Sequence, residues 1–250
     1  MAGVSAERQE IGLINSVNEA FQNRKSKPFS LIASNNTVIH RCISAEKFEG
    51  RSSAGTEPYT DVVINLENNI SLNLSNKGEE APSIAGGGIE GLELIVPGLT
   101  RKFLNAALKK YIDLGYEDGD IIPDIYGKIN DRFKELVVVG NKKMGGPIDY
   151  MYIGPMDVTY NQSKVSSATG TSYGNEVKVN GELIPAKEFA RDHDIYLRLR
   201  KRRVDQPFDT TDTDNKGFPI IMGRSPSRGD KGRRIVTVKK PPLNAIIVKF

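Results

Sequence analysis

One stretch, residues 59–88, YTDVVINLENNISLNLSNKGEEAPSIAGGG, constrains the fold more than any other part of the chain. Two apolar runs, 62–66 and 70–74, are separated by the polar Glu67-Asn68-Asn69, a spacing that predicts a β-hairpin with Asp61 at the entrance of its first strand. The second run alternates. Side chains alternate across a strand, so Ile70, Leu72 and Leu74 share one face, while Ser71, Asn73, Ser75 and Lys77, if the strand runs that far, share the other. After a break at Ala81-Pro82-Ser83, Gly86-Gly87-Gly88 leads into IEGLELIVPGL, a segment able to start a helix with free N–H groups at its head.

Upstream, residues 5–22 carry Ile11, Ile14, Val17 and Phe21 at helical spacing behind a capping Ser5. Glu10 lies one turn before Ile14 and so borders the expected buried stripe; Glu19 lies further along the same helix. A strand is expected over 29–33 and an extended run to Ile43, turned at Asn35-Asn36, whose side chains tolerate positive φ. Within it His40 has no Cys, Asp or second His at ligand spacing, and Cys42 reads as a small buried hydrophobe. Downstream, RKFLNAALKKYIDL (101–114), closed by Gly115, is the firmest helix. Glu117-Asp118-Gly119-Asp120 reads as a turn, because the bidentate Glu of a calcium loop is missing. Expected next are a short helix over 128–136, a strand at 137–139 and another at 148–153.

Residues 161–174 are poor in apolar side chains and mark the expected boundary or loop. Beyond them, 176–184 predicts a tight hairpin at Asn180-Gly181, and 195–204 predicts a strand with Ile195, Leu197 and Leu199 inward and Arg198, Arg200 and Arg202 outward. Further short strands are expected at 220–222, 235–238 and 245–248, with a basic loop over 225–234 that includes Arg233 and Arg234. The fold class expected is α+β (α/β): a mixed β-sheet flanked by helices over residues 1–160, followed by a β-rich basic module over 175–250.

The order of acidic helix, strand, Asp61-led strand, polar strand and following helix resembles the core of the PD-(D/E)XK nuclease superfamily, the restriction-endonuclease-like fold, over roughly residues 7–110. That family carries an acid-x-Lys on its third strand. Here Ser71 stands at the acid's expected place and Asn73 at the lysine's. Some members carry Ser-x-Lys and supply the acid from the next helix, so the resemblance implies Asp61 as the first catalytic residue. It further implies Glu90 or Glu93 as the migrated acid, Glu10 as an auxiliary and Lys77 as the substitute lysine. It also implies Mg²⁺ as cofactor, held by Asp61 and Glu93, and hydrolysis of phosphodiester bonds in DNA.

Charge distribution bears on the same question. The net charge is +4, yet residues 191–250 hold fifteen Lys or Arg against seven Asp, a balance of +8, leaving −4 for the rest. Such asymmetry suits a polyanion, and Arg198, Arg200, Arg202, Arg233 and Arg234 are the expected phosphate contacts. The alternative is a catalytically inactive structural or assembly protein of a phage particle, in which those arginines dock on a partner subunit or on packaged DNA. A homo-oligomer or virion subunit fits either reading. Several classes are disfavoured. A single cysteine forbids an intrachain disulfide and suits a reducing cytoplasm or a virion assembled there. No apolar run approaches the ~20 residues of a membrane span, and the first residues have no apolar signal core. The triple glycine lacks the Gly-Lys-Ser/Thr ending of a P-loop, and no Gly-x-Ser-x-Gly elbow supports a serine hydrolase.

Overall fold

The computed structural model describes residues 2–53, 55–79, 88–168, 170–200, 205–213, 217–222 and 234–250. They fold as the mixed α+β class expected, in two compact units that interleave along the sequence. The first comprises Met1–Arg51, Pro58–Ala81 and Val139–Phe189; the second comprises Ser52–Glu57, Pro82–Val138 and Ala190–Phe250. Composition alone suggests two consecutive halves.

The first unit is built around helix α1 (Ala2–Asn23). Its fully buried stripe is Leu13, Val17 and Ala20, joined by the polar Gln9 and Ser16. The stripe is therefore rotated from the expected one, and Ile11 is exposed. Two polar positions can lie inward because each is satisfied: Ser16 Oγ donates to Gly12 O at 2.7 Å, and Gln9 Nε2 donates to Gly154 O at 2.8 Å. Each fully buried aliphatic side chain here contributes about 1.5–3 kcal/mol.

Against α1 lies an eight-stranded sheet. Its strands are β1 (Phe29–Ile32), β2 (Val38–Lys47), β3 (Val62–Leu66), β4 (Ile70–Gly78), β6 (Tyr150–Gly154), β7 (Tyr160–Ser167), β8 (Gly170–Val179) and β9 (Glu182–Pro185). Their order is β7-β8-β1-β2-β3-β4-β6-β9, parallel at β8/β1 and β4/β6 and antiparallel elsewhere. Leu31, Ile39, Cys42, Val62, Ile64, Leu74, Val177 and Leu183 meet α1 in one apolar core. The expected β3–β4 hairpin is present, turned by Asn68 and Asn69 at φ 90° and 56°, with Val62 opposite Leu74. Ile70, at its tip, is exposed; the alternation becomes burial only at Leu74.

In the second unit, α2 (Gly88–Ile95) and α3 (Leu99–Asp113) accompany a four-stranded sheet, β13-β10-β5-β14. Its strands are β5 (Ile125–Lys128), β10 (Tyr196–Arg200), β13 (Arg234–Val238) and β14 (Ile246–Val248). A ribbon of β11 (Phe208–Thr213) and β12 (Pro219–Met222) also belongs to the unit, as does α4 (Asp131–Val139) up to Val138, while α5 (Ala186–Asp192) is shared between the units by residue number. Gly127 lies between two rings: a Cβ there would approach Phe250 to 2.6 Å and Phe103 to 2.8 Å, so β5 needs glycine at this point.

Four local expectations are corrected. Residues 125–128 form a central strand, and the helix expected over 128–136 runs instead over Asp131–Val139. Val137-Val138-Val139 are buried but helical, because Asn130 Oδ1 caps α4 by accepting from Arg132 N–H at 3.1 Å, and Gly140 at φ 74° ends it. Residues 161–174 lie almost wholly within the β7–β8 ribbon, whose polar residues pair across strands without a core beneath most of them. The Asn180-Gly181 turn does exist, but the strands it joins do not pair: β8 lies beside β1, while β9 lies beside β6 at the far end of the strand order. The sheet must therefore curl. Ser34 N–H donates to Gly181 O, and Gly181 packs on the Tyr152 ring, which brings the two ends together.

Candidate functional site

Hairpin register decides what stands beside Asp61. Val62 pairs with Leu74, so continuing one residue outward places Asp61 across from Ser75. The backbone confirms the pairing, with Asp61 N–H donating to Leu74 O at 2.8 Å and Phe48 N–H donating to Asp61 O at 3.0 Å. Asp61 is thus pinned between β2 and β4. Its Oδ2 accepts from Asn76 N–H at 2.7 Å and from Ser75 Oγ at 3.1 Å, and it lies 3.7 Å from Lys77 Nζ. These contacts all fall on Oδ2.

Ser71 and Asn73, the positions expected to replace the family's acid and lysine, stand elsewhere. Ser71 donates to Asn65 Oδ1 at 2.7 Å, and Asn73 Nδ2 donates to Pro147 O at 2.9 Å. The Ser-x-Lys beside Asp61 is Ser75-Asn76-Lys77. The sequence contained the signal, since counting the register back from Asn68-Asn69 gives it directly. Matching the family's spacing from the start of the strand missed it.

Helix α1 reaches the same place. Gln9 Nε2 donates to Gly154 O and lies 3.2 Å from both Lys77 O and Pro155 O, tying the helix to the ends of β4 and β6. The next residue is Glu10, whose carboxylate lies 3.3 Å from Lys47 Nζ and is largely buried. Burial pushes the Glu10 carboxyl above its ordinary value, and the negative charge of Asp61 pushes it further, against the pull of Lys47. Two carboxylates and two lysines, Lys47 and Lys77, therefore share one neighbourhood. Gln9 gave no sequence signal, because a buried glutamine on an amphipathic helix looks like any polar residue.

On the opposite face of β4 from Ser75 and Lys77, the side-chain amide of Asn76 is buried with neither Nδ2 nor Oδ1 hydrogen-bonded. A buried amide without partners marks a place where a water or ligand atom completes the bonding. The oxygen-only donor set of Glu10 and Asp61 fits a hard cation such as Mg²⁺, which takes one or two carboxylates and keeps several waters. Among the described residues no cluster of three or more His, Cys, Asp or Glu side chains gathers, so water or substrate would have to supply the remaining ligands.

The expected migrated acids belong to the second unit, whereas Asp61 belongs to the first. Glu93 is committed to a structural task. Its carboxylate accepts from Gly98 N–H at 2.7 Å, from Thr100 N–H at 2.8 Å and from Thr100 Oγ1, capping α3 where Gly98, at φ 80°, has no side chain to do so. Glu90 sits in the first turn of α2.

Of the expected phosphate contacts, Arg198 donates through Nε at 2.9 Å and Nη2 at 2.5 Å to Asp124 Oδ2 and lies over the Tyr126 ring. Arg200 pairs across the sheet with Arg234, the first residue of β13, and is half-buried. Arg202, Arg233 and nearly all of the basic loop lie outside the described residues. His40 is exposed and shares a hydrogen bond with Ser30 Oγ, while Cys42 is buried, its thiol pushed up to about 12 by desolvation. Among the described residues no helix is long and apolar enough to cross a membrane. No family model, curated protein or solved structure matches the chain.

Proposed function

We propose that this chain is a DNA-interacting protein with a nuclease-like core, whose chemistry is Mg²⁺-dependent hydrolysis of phosphodiester bonds at Asp61, Glu10 and Lys77. The observation that carries the proposal is the joining of these three side chains, from the residue before β3, α1 and β4, by register and by the Gln9 tether. In this proposal Asp61 and Glu10 hold the ion. When bound, Mg²⁺ supplies a water of lowered pKa and neutralises charge on the scissile phosphate. Lys77, half-sheltered and adjacent to Asp61, stabilises the anionic transition state or the attacking hydroxide. Ser75 orients Asp61 through its hydroxyl.

The test is cleavage of plasmid DNA with Mg²⁺ and with chelator. Asp61→Asn is expected to lower the cleavage rate by about 10³-fold or more while leaving the fold intact, and Lys77→Ala to lower it by roughly 10²-fold. One observation favours a second reading: Ser75 puts no carboxylate on the third strand, so the site has one acid fewer than the family pattern. On that reading the chain is a catalytically silent scaffold of an assembly such as a phage particle, located in the virion or the host cytoplasm. Absence of cleavage, together with Mg²⁺ titrations that leave the Asp61 and Glu10 signals unmoved, would overturn the first reading and leave the second standing.

A further inference from the structure

We infer that a second, separate site on the first unit binds the phosphate backbone of a nucleic acid, in the pocket where the end of α1 meets the β7–β8 ribbon. This deepens the DNA reading above but does not depend on cleavage. The pocket has a volume of about 250 Å³ and is lined by Asn23, Arg24, Lys25, Lys27, Thr171, Ser172 and Tyr173. That is room for a phosphate with its sugar and too little for a larger organic ligand.

Three cations line it and a fourth stands beside one of its walls. Lys164 stands directly across the ribbon from Tyr173, with Nζ 5.9 Å from the ring centroid, and so adds a fourth charge to those of Arg24, Lys25 and Lys27. Among the described residues none of the four is ion-paired, in contrast to Arg8, Arg41, Lys47, Lys77, Lys128 and Arg198. Like charges gathered without counter-charge repel, and an oxyanion in their midst removes that repulsion. The nearby Glu19 carboxylate is turned to Tyr160, whose hydroxyl donates to it at 3.1 Å.

The pocket is also held in shape. Arg24 Nη1 donates to Tyr173 O at 2.9 Å, fixing the guanidinium against the ribbon, and its Nε is buried without a partner. Lys25 and Ser26 both have left-handed backbone, φ 55° and 60°, in the turn that closes α1, a conformation that glycine would adopt at less cost. Thr171 offers a hydroxyl donor, Ser172 Oγ donates to Val165 O at 3.4 Å and can still accept, and the half-buried Tyr173 offers a ring edge to a sugar or base. The ribbon is two-stranded and polar, with Val165 the exposed apolar residue near its tip, a form that can lie along a duplex groove while its base holds the backbone.

The experiment is fluorescence anisotropy of a labelled DNA duplex in chelator, over a series of salt concentrations. Three exposed lysines are changed singly and together: Lys25→Gln, Lys27→Gln and Lys164→Gln. The result expected is weakening of roughly two- to five-fold for each, tenfold or more for the triple variant, and a salt slope flattened by about one unit for each lysine replaced. Binding is read in chelator, where no cleavage occurs, so a failure of the catalytic proposal is read separately from a failure of this one. A folded triple variant, verified by circular dichroism, that binds duplex with wild-type affinity and slope overturns the inference. So does a wild-type protein whose Tyr173 signal shifts with inorganic phosphate but which shows no affinity for duplex.

Discussion

Two cationic regions of the molecule make an instructive pair. The row of arginines on β10 dominates a count of charges, yet Arg198 is spent on Asp124, and Lys128 on the neighbouring strand lies 2.8 Å from Asp194. The turn after α1 contributes only Arg24, Lys25 and Lys27, joined by Lys164, and none of them meets a carboxylate among the described residues. Availability for a partner depends on pairing, and pairing depends on which acids the fold brings alongside. Linear charge density along the chain therefore pointed to a region where Arg198 is already neutralised.

That contrast can be broken at its strongest point by Arg198→Ala. The pair is about three-quarters sheltered on both sides, so removing the guanidinium should destabilise the protein by about 2 kcal/mol in a denaturant titration, with little change in DNA affinity. A large loss of affinity with unchanged stability would restore the arginine row as the binding surface. A smaller effect separates the acids of the two units. Glu93→Gln should cost about 1 kcal/mol of stability, because it weakens the cap of α3, and should leave any cleavage rate untouched. Cleavage that falls with Glu93→Gln at constant stability would return Glu93 to the catalytic set.

The smallest effect is a titration. The Glu10 carboxyl is raised by burial and then by Asp61, so Asp61→Asn should lower its midpoint in a carboxyl-resolved NMR titration without returning it to the ordinary value, since burial remains. Lys47→Ala should move it up. The sign for stability follows: the folded state holds the Glu10 proton more tightly than the unfolded chain, so stability falls as pH rises from the ordinary 4.5 through the raised value. Glu10→Gln should flatten that fall. A Glu10 midpoint indifferent to Asp61 would mean the two carboxylates are not neighbours.

The parts of the fold that could be read in advance are those fixed by short-range rules. The Asn68-Asn69 turn, the α3 stripe closed by Gly115 and the alternation of Leu197 and Leu199 depend on periods and turn chemistry alone. What could not be read depends on distant partners. Nothing local tells Gln9 that Gly154 O will receive its amide, or tells three consecutive valines that Asn130 will cap them into a helix. Strand partnership at Asn180-Gly181 failed for the same reason, since a two-residue turn specifies a reversal of direction but not which strand the returning segment will meet. In the site, Asp61 and Lys77 were legible because both lie on one hairpin, and Glu10 was legible as the acid bordering α1's inner face. The fourth member, Lys47, required knowledge of how the helix lies on β2.

The interleaving of the two units also sets a timetable for synthesis. Strand β4 pairs in parallel with β6, but between them the ribosome must deliver a long stretch of the second unit, residues 82–138. Until residue 154 has emerged, Lys77 stands on an open strand edge, and α1 lacks the carbonyl of Gly154 that receives Gln9. The site on the hairpin is encoded early and assembled late, by long-range closure that comes after most of the local structure can form.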